Sequence, residues 1–162
     1  MKKPLLALML LGAVQAHAQQ VEIDLTLPEI GGAMYYRPYV AVWVEDADEQ
    51  PVKTLAVWRK EPDWLKDMRR WWRKAGRYDQ GELDGVTAAT RKPGRYRLNW
   101  DGTDQQGRAV VPGQYHINVE AAREHGSRSL ARQTIQLGGG AASYHLEPSE
   151  ELGEITITLG AQ

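Results

Sequence analysis

The chain contains no cysteine, and this absence excludes a wide range of redox and metal chemistry. Disulfides, thiolate nucleophiles, iron–sulfur clusters, c-type haem attachment and cysteine-based zinc sites all require that residue. A protein of this composition that carries electrons therefore needs a bound or covalent organic cofactor. Phenylalanine is absent as well, whereas six tryptophans and seven tyrosines are present. These side chains join a large apolar body to a polar tip, which suits cores, interfaces and sites for flat ligands.

The chain also lacks an apolar run long enough to cross a membrane. Its first residues combine a basic start at Lys2 and Lys3 with an apolar stretch over 5–14 and a small-x-small site at 16–18. This pattern is typical of a secretory signal peptide over residues 1–18, which leaves a single domain over residues 19–162. No cysteine follows the site, so the pattern is not that of a lipoprotein. We expect a periplasmic protein that does not itself span the membrane.

A strong excess of charge of one sign is missing too. Without Lys2 and Lys3, the remaining 18 basic and 21 acidic residues give a net charge of −3. Such a balance provides no general case for binding nucleic acid or an anionic membrane surface. Partners must therefore be predicted from local motifs.

Alternation of apolar and polar residues predicts a mainly β fold. Val21, Ile23, Leu25 and Leu27 follow the two-residue period of a half-buried strand. Similar apolar or alternating segments, with turn residues between them, indicate seven or eight strands in an antiparallel, immunoglobulin-like β-sandwich. The predicted strands cover residues 21–27, 39–45, 52–58, 96–100, 115–121, 134–137 and 155–159.

One segment has helical periodicity, and we predict an amphipathic helix inserted at about 62–75. Pro62 suits a first helical position, and Gly76 is a suitable stop. Apolar residues recur at helical spacing, with basic residues between them. The tryptophans of this stripe either pack into the core or contact a flat ligand, and packing is the simpler interpretation. The basic face is expected to be solvated. The apolar positions are Trp64, Leu65, Met68, Trp71, Trp72 and Ala75.

The segment over 100–115 is similar to a hairpin of the immunoglobulin-like modules in the flagellar hook-capping protein. Asp101 and Asp104 are placed to bind the backbone of their own turn, while Gly102 and Gly107 supply positive φ angles. A calcium site is the alternative, but the loop lacks the terminal glutamate and regular spacing of a helix–loop–helix site.

Residues 84–90 have the sequence Asp-Gly-Val-Thr-Ala-Ala-Thr. This heptapeptide resembles the recognition sequence of the bacterial flavin transferase, which moves FMN from FAD onto a threonine of an exported protein. The tightest positions of that pattern fall on Asp84, Thr87, Ala89 and Thr90, with Gly85 between them, and Ala88 replaces the usual glycine. The resemblance implies FMN attached to Thr90 through a phosphoester. An ordinary loop between a helix and a strand is the alternative.

Attachment would make particular demands on the neighbouring residues. Thr90 must lie on an extruded loop that the transferase can enclose, with Asp84 as a recognition carboxylate. Arg91 and Lys92, followed by Arg95, are candidate donors to the phosphate oxygens, although they also suit an exposed entrance to the next strand. The nearest aromatic platforms in sequence are Trp71, Trp72 and Tyr78.

The wider chain resembles the exported family known as domain of unknown function 2271. The resemblance rests on residues 39–46, 53–58, 69–72, 84–94 and 119–126, which occur in that order. It implies a setting with the flavin transferase and membrane-embedded PepSY-type proteins linked to transmembrane electron transfer and iron reduction. The chain would then be a redox carrier rather than a free-standing enzyme, with no catalytic residues of its own.

Other functions have weaker motifs. His116, His125 and His145 lack the spacing of metal ligands, and no elbow or oxyanion context supports a hydrolase triad. We therefore predict no metal site, although a periplasmic metal-binding protein using scattered carboxylates and histidines is one alternative. The main alternative is a cofactor-free, immunoglobulin-like binding or assembly module.

Overall fold

A computed structural model of the chain describes residues 19–32, 34–79 and 81–161. The predicted signal peptide over 1–18 lies outside this part of the chain. The described residues form two β-sheets packed face to face, with a short helical segment on the outer side of the larger sheet. The predicted fold class, a mainly β, immunoglobulin-like sandwich with one inserted helix, is confirmed.

The two sheets contain nine strands within the described residues. The smaller sheet has the order β5-β1-β9-β8, and the larger has the order β4-β3-β2-β6-β7. All neighbouring strands are antiparallel except β3 and β4, which run parallel. The strands are β1 (Val21–Leu27), β2 (Tyr39–Asp46), β3 (Pro51–Arg59), β4 (Thr87–Ala89), β5 (Gly94–Trp100), β6 (Gly113–Ala122), β7 (Arg128–Leu137), β8 (Ala142–Leu146) and β9 (Ile155–Leu159).

The main core lies between the sheets. Val21, Ile23 and Leu25 of β1 are fully buried and alternate with partly exposed residues, as their period predicts. Trp100 and Tyr115 meet edge to face in this core, with ring centroids 5.3 Å apart. Burial of large aromatic and aliphatic side chains on both inner faces is the main stabilising contribution to such a sandwich.

Strand β2 is buried on both faces, which explains its continuous apolar sequence. Val40, Val42 and Val44 face the main core, whereas Tyr39, Ala41 and Trp43 belong to a second cluster on the outer face of the larger sheet. The helical segment covers that cluster with Met68, Trp71 and Ala75. An antiparallel sheet normally leaves one face to solvent, so the insertion supplies a third layer here.

The hairpin loop between β5 and β6 has the structural role that its sequence predicts. Asp101 Oδ1 accepts from the backbone N–H and hydroxyl of Thr103, and Asp104 Oδ1 accepts from the backbone N–H of Arg108. Gly102 and Gly107 have φ angles of 73° and 79°. Both carboxylates thus accept hydrogen bonds from residues of their own turn.

The helical segment is less regular than predicted. It consists of a 3₁₀ helix over Pro62–Asp67, one α-helical turn over Arg69–Trp71 and a π-helical turn over Trp72–Gly76. Met68 separates the first two parts with a non-helical ψ of 72°. The apolar stripe nevertheless packs on the sheet as expected, since Met68, Trp71 and Ala75 are buried and Trp64, Leu65 and Trp72 are partly buried beside them.

A strand carboxylate anchors the start of the α-helical turn. Glu120 of β6 is fully buried, and its two oxygens accept from the backbone N–H groups of Arg70 and Trp71 at 3.1 and 2.8 Å. Arg128 adds a 2.6 Å hydrogen bond to the same carboxylate. Glu120 therefore satisfies helix donors that no residue of the helical segment itself caps.

The basic face is only partly solvated, which corrects the expectation for Arg70. Its guanidinium donates to the fully buried Glu45 at 2.7 Å, and the Arg70 side chain is 17% exposed. Arg132 reaches the same carboxylate at 3.7 Å. A buried carboxylate without such partners would be costly, so this part of the face belongs to the protein interior.

Gly76 ends the helical segment by close packing rather than by a left-handed turn. A Cβ at this position would lie 2.6 Å from a ring carbon of Trp71. We expect Gly76→Ala to reduce the free energy of unfolding by about 1–3 kcal/mol through overpacking. Urea denaturation measures this change, with Gly81→Ala as the matched control because a Cβ there meets no atom within 4 Å. Equal stability of the two variants would contradict the packing interpretation.

Candidate functional site

The heptapeptide over 84–90 lies at the edge of the larger sheet, where it follows the helical segment. Its centre, Thr87–Ala89, forms β4 and pairs in parallel with Val57–Arg59 of β3. The centre of the motif is therefore an edge strand rather than a loop, whereas Thr90, for which an extruded loop was expected, lies outside the strand. Thr90 follows the last residue of this edge strand and is half-buried.

The two threonines of the motif differ in their hydrogen bonding. Thr87 Oγ1 donates to the Leu83 carbonyl at 2.7 Å, which closes the turn before β4. Within the described residues, the Thr90 hydroxyl takes no part in a side-chain hydrogen bond. Thr87 thus stabilises the local turn, whereas the oxygen of Thr90 is available.

Ala88, where the motif usually has glycine, lies in the middle of β4. Its φ angle is not among the positive values of the described non-glycine residues, which occur at Glu49 and His125. Its side chain packs against the main core beside Trp58, its partner across the strand pair. The resting backbone therefore requires no torsion that only glycine can adopt.

A groove beside Thr90 is lined by residues of four segments, among them three tyrosines and two basic residues. It has a volume of about 240 Å³, and we call it the tyrosine groove. Its lining consists of Tyr35, Tyr36, Arg37, Tyr39, Lys60, Thr90 and Glu124.

The hydroxyls of these tyrosines have different environments. Tyr39 accepts from the backbone N–H of Glu61 at 3.3 Å, so its ring is fixed. The Tyr35 oxygen is buried and has no hydrogen-bond partner among the described residues. Burial raises the pKa of Tyr35, against the opposing effect of Arg123, so the hydroxyl keeps its proton and is a donor at neutral pH.

The basic residues after Thr90 do not all face this groove. The Arg91 guanidinium lies 5.3 Å from the Trp58 ring centroid and 5.9 Å from that of Tyr96, so it covers the aromatic pair at the end of the main core. The Lys92 carbonyl accepts from the Tyr96 hydroxyl at 2.6 Å, while the Lys92 side chain is exposed. These positions fit the alternative of an exposed strand entrance. The cations that line the groove are Arg37 and Lys60 instead.

The aromatic platforms expected from sequence proximity lie elsewhere. Trp71 is fully buried in the second cluster, and its indole N–H donates to Thr54 Oγ1 at 3.3 Å. Its ring is therefore not accessible to a ligand. Tyr78 is 67% exposed and is covered by Arg77. Trp72 lines a separate depression of about 260 Å³ together with Asp84 and Thr87. Thr90 is not part of that lining.

The histidines are far apart, as their spacing predicts. His116 is buried on β6 with Nδ1 2.8 Å from Thr134 Oγ1, whereas His125 lies in the turn after β6 and His145 on β8. Among residues 19–32, 34–79 and 81–161, no group of three or more potential ligands could hold a metal ion.

The buried His116 makes stability depend on pH. Burial and the nearby Arg132 lower the pKa of His116, against the opposing effect of Glu45. The unfolded chain therefore binds more protons below its histidine pKa of about 6.5, and stability falls as pH decreases through that value.

We expect the urea midpoint of the protein to fall between about pH 7.5 and pH 5.5, and His116→Gln to reduce that fall. His145→Gln, at a half-exposed histidine, is the control and should retain the wild-type pH dependence. An unchanged pH dependence in His116→Gln would contradict the assignment.

A family model described as "Predicted periplasmic protein (DUF2271)" matches residues 20–154, which is most of the chain. The chain belongs to this family. The resemblance predicted from the quoted segments is thereby confirmed, and the family description agrees with the predicted periplasmic location. Searches of curated proteins and of solved structures found no match. Within the described residues, no helix combines the length and apolarity needed to cross a membrane.

Proposed function

We propose that this member of the DUF2271 family is an exported flavoprotein that carries FMN on Thr90 and transfers electrons. The observation that carries the proposal is the position of Thr90, whose uncommitted hydroxyl follows an edge strand and opens on the tyrosine groove. The match to the transferase motif at Asp84, Thr87, Ala89 and Thr90 gives the chemistry of attachment.

The residues present fit this cofactor. Tyrosine rings provide surfaces for a flat heterocycle, and Arg37 and Lys60 provide positive charge for a phosphodiester. Glu124 lines the same groove, but the two cations outnumber it. A bound flavin supplies one- and two-electron transfer, which a cysteine-free chain lacks.

Attachment requires one displacement at phosphorus. The Thr90 oxygen would attack the FMN-side phosphorus of FAD, the bond to the bridging pyrophosphate oxygen would break, and AMP would leave. The Thr90 proton passes to a base or to solvent, and the transferase metal stabilises the charge that develops. No oxidant or reductant is consumed. The exposed Asp84 carboxylate is available for recognition by the transferase.

The edge position of the motif also bears on how the transferase gains access. Strand β4 has only three residues and pairs on one side with β3. Short edge strands separate from a sheet at lower cost than central strands. Local release of β4 would present residues 84–90 as an extended substrate, after which the strand can pair again.

Coexpression with the flavin transferase followed by intact-mass analysis tests the proposal. We expect the wild-type protein to gain the mass of one FMN less one water and Thr90→Val to gain none. Thr158→Val, at an exposed threonine of β9, is the matched control and should gain the full mass. A wild-type protein without added mass, or added mass that persists in Thr90→Val, would refute attachment at Thr90. A colourless protein without FMN would instead favour the cofactor-free binding or assembly module.

The predicted partners are the transferase and a membrane PepSY-type oxidoreductase, with ferric iron as a candidate acceptor. The proposed test for electron transfer is reduction of the flavinylated protein by membranes that contain that oxidoreductase and are supplied with an electron donor, followed by absorbance at the flavin band. The same membranes should leave Thr90→Val spectroscopically unchanged.

A further inference from the structure

We infer that the tyrosine groove binds the flavin carried by Thr90, with Tyr35 and Tyr36 against the ring and Arg37 and Lys60 balancing its negative charge. This inference rests on the proposed function and names the residues that hold its cofactor. All four residues lie at least 30 positions before Thr90 in the chain, so the motif alone does not indicate them.

The parallel pairing of β4 with β3 is what brings these residues to one edge. Because the two strands run in the same direction, Thr90 after β4 and Lys60 after β3 lie at the same end of the larger sheet. Strand β2 is antiparallel to β3, so its beginning at Tyr39 lies there as well. The preceding residues, Tyr35–Arg37, are carried to the same place. An antiparallel β4 would put Thr90 at the opposite end.

The chemistry of the lining suits a flavin in two respects. Tyrosine rings stack on flat heterocycles, and both Tyr35 and Tyr36 line the groove. The groove also contains two cations. Arg37 and Lys60 are exposed and bring positive charge to the groove. Reduction of a flavin adds negative charge, which nearby cations favour.

The size of the groove suits a tethered carrier. Its volume of about 240 Å³ is below the range of about 300–1,000 Å³ for sites that enclose a whole small ligand. It therefore holds one face of the cofactor and leaves the opposite side exposed. An exposed ring edge is what electron exchange with a partner protein requires, and the covalent bond to Thr90 removes the need for full enclosure.

The depression at Trp72 is the competing location. It contains Trp72, one of the aromatic platforms expected from the sequence, and one cation, Arg59, but it also contains the Asp84 carboxylate. Thr90 lines the tyrosine groove and not this depression. Flavin fluorescence separates the two locations, because an aromatic ring stacked on the flavin quenches its emission.

The experiment uses holoproteins made by coexpression with the transferase, with FMN content measured by intact mass in every sample. We expect weak flavin emission from the wild type and a several-fold increase in the double variant Tyr35→Leu/Tyr36→Leu. Trp72→Leu and Tyr78→Leu should retain the wild-type emission per FMN. A double variant that carries full FMN with wild-type emission, or an increase caused by Trp72→Leu instead, would overturn the groove while leaving attachment intact. A wild type without FMN would overturn both proposals.

A second measurement avoids any effect of aromatic substitutions on folding. Arg37→Gln/Lys60→Gln changes only exposed side chains and should lower the flavin midpoint potential, because it removes the charge that favours reduction. Arg69→Gln/Arg73→Gln changes the net charge equally at exposed positions of the helical segment and should leave the potential near the wild-type value. Equal shifts in the two double variants would count against the groove.

Discussion

Glu120→Leu is expected to reduce the free energy of unfolding by about 3–5 kcal/mol, the cost typical of breaking a buried charged network from one side. The carboxylate is fully buried and binds the backbone N–H groups of Arg70 and Trp71 as well as the Arg128 side chain. Leucine fills similar space but accepts none of these hydrogen bonds, so two helix donors and one guanidinium lose their partner. Urea denaturation followed by circular dichroism measures the loss.

The expected loss has a matched comparison on the other sheet. Glu22→Leu changes a partly exposed carboxylate of β1 whose contact with Arg97 is 3.4 Å long, and exposed pairs of this kind contribute at most about 1 kcal/mol. Glu120→Gln should fall between the two, because an amide keeps one acceptor. If Glu120→Leu cost no more than Glu22→Leu, the helical segment would be held by apolar packing alone.

The packing of the helical segment also affects the chain that leads to the motif over 84–90. Residues 77–83 connect the segment to the motif over 84–90, and Leu83 at the end of this connection packs in the second cluster with Trp71. Loosening the anchor at Glu120 therefore frees the chain just before β4.

Periodicity predicted the elements that are long and packed on one side. The alternation over 21–27 and the helical stripe from Trp64 to Ala75 both arise because each element packs one face against a core. The stripe did not predict the irregular backbone at Met68. The acceptor for the backbone N–H groups of the following α-helical turn comes from Glu120, which lies on strand β6. Propensity within a segment contains no information on a partner 50 positions away.

The two strands that the sequence patterns missed are short edge strands. Strand β4 consists of Thr87, Ala88 and Ala89, of which two are poor strand formers, so its conformation comes from pairing with β3. Strand β8 has only five residues and none that is fully buried. In both cases tertiary pairing, rather than local preference, decides the structure.

In the candidate site as well, the local motif predicted one residue, while residues distant from it in the sequence were missed. The motif predicted Thr90, and the structure adds that its hydroxyl is uncommitted while that of Thr87 is occupied. Sequence proximity suggested Trp71 as a platform and Arg91 as a phosphate donor. Trp71 is buried in the second cluster, and the Arg91 guanidinium lies over the Trp58 and Tyr96 rings. The lining residues Tyr35, Tyr36 and Lys60 approach Thr90 only through strand order, which the spacing of residues does not encode.

Trp71→Ala should reduce the free energy of unfolding by about 3–5 kcal/mol, the loss typical of removing a large buried aromatic side chain. Trp71 is fully buried between the helical segment and the outer face of the larger sheet, and its ring lies 6.4 Å from that of Trp72. Removal also leaves Thr54 Oγ1 without the indole donor. Chemical denaturation gives the loss, and Trp71→Phe should show a smaller one because it retains most of the packing.

Tyr78→Ala provides the contrast, since this tyrosine is 67% exposed and its removal should change stability by about 0.5 kcal/mol or less. The comparison separates a structural from a cofactor-binding role for the tryptophan. A structural Trp71 leaves the flavin emission of the folded fraction unchanged while the unfolding midpoint falls. A tryptophan stacked on the flavin would do the reverse, with a small stability loss and a marked rise in emission. Because the indole is enclosed by Met68, Ala75 and the residues of β2, we expect the first outcome.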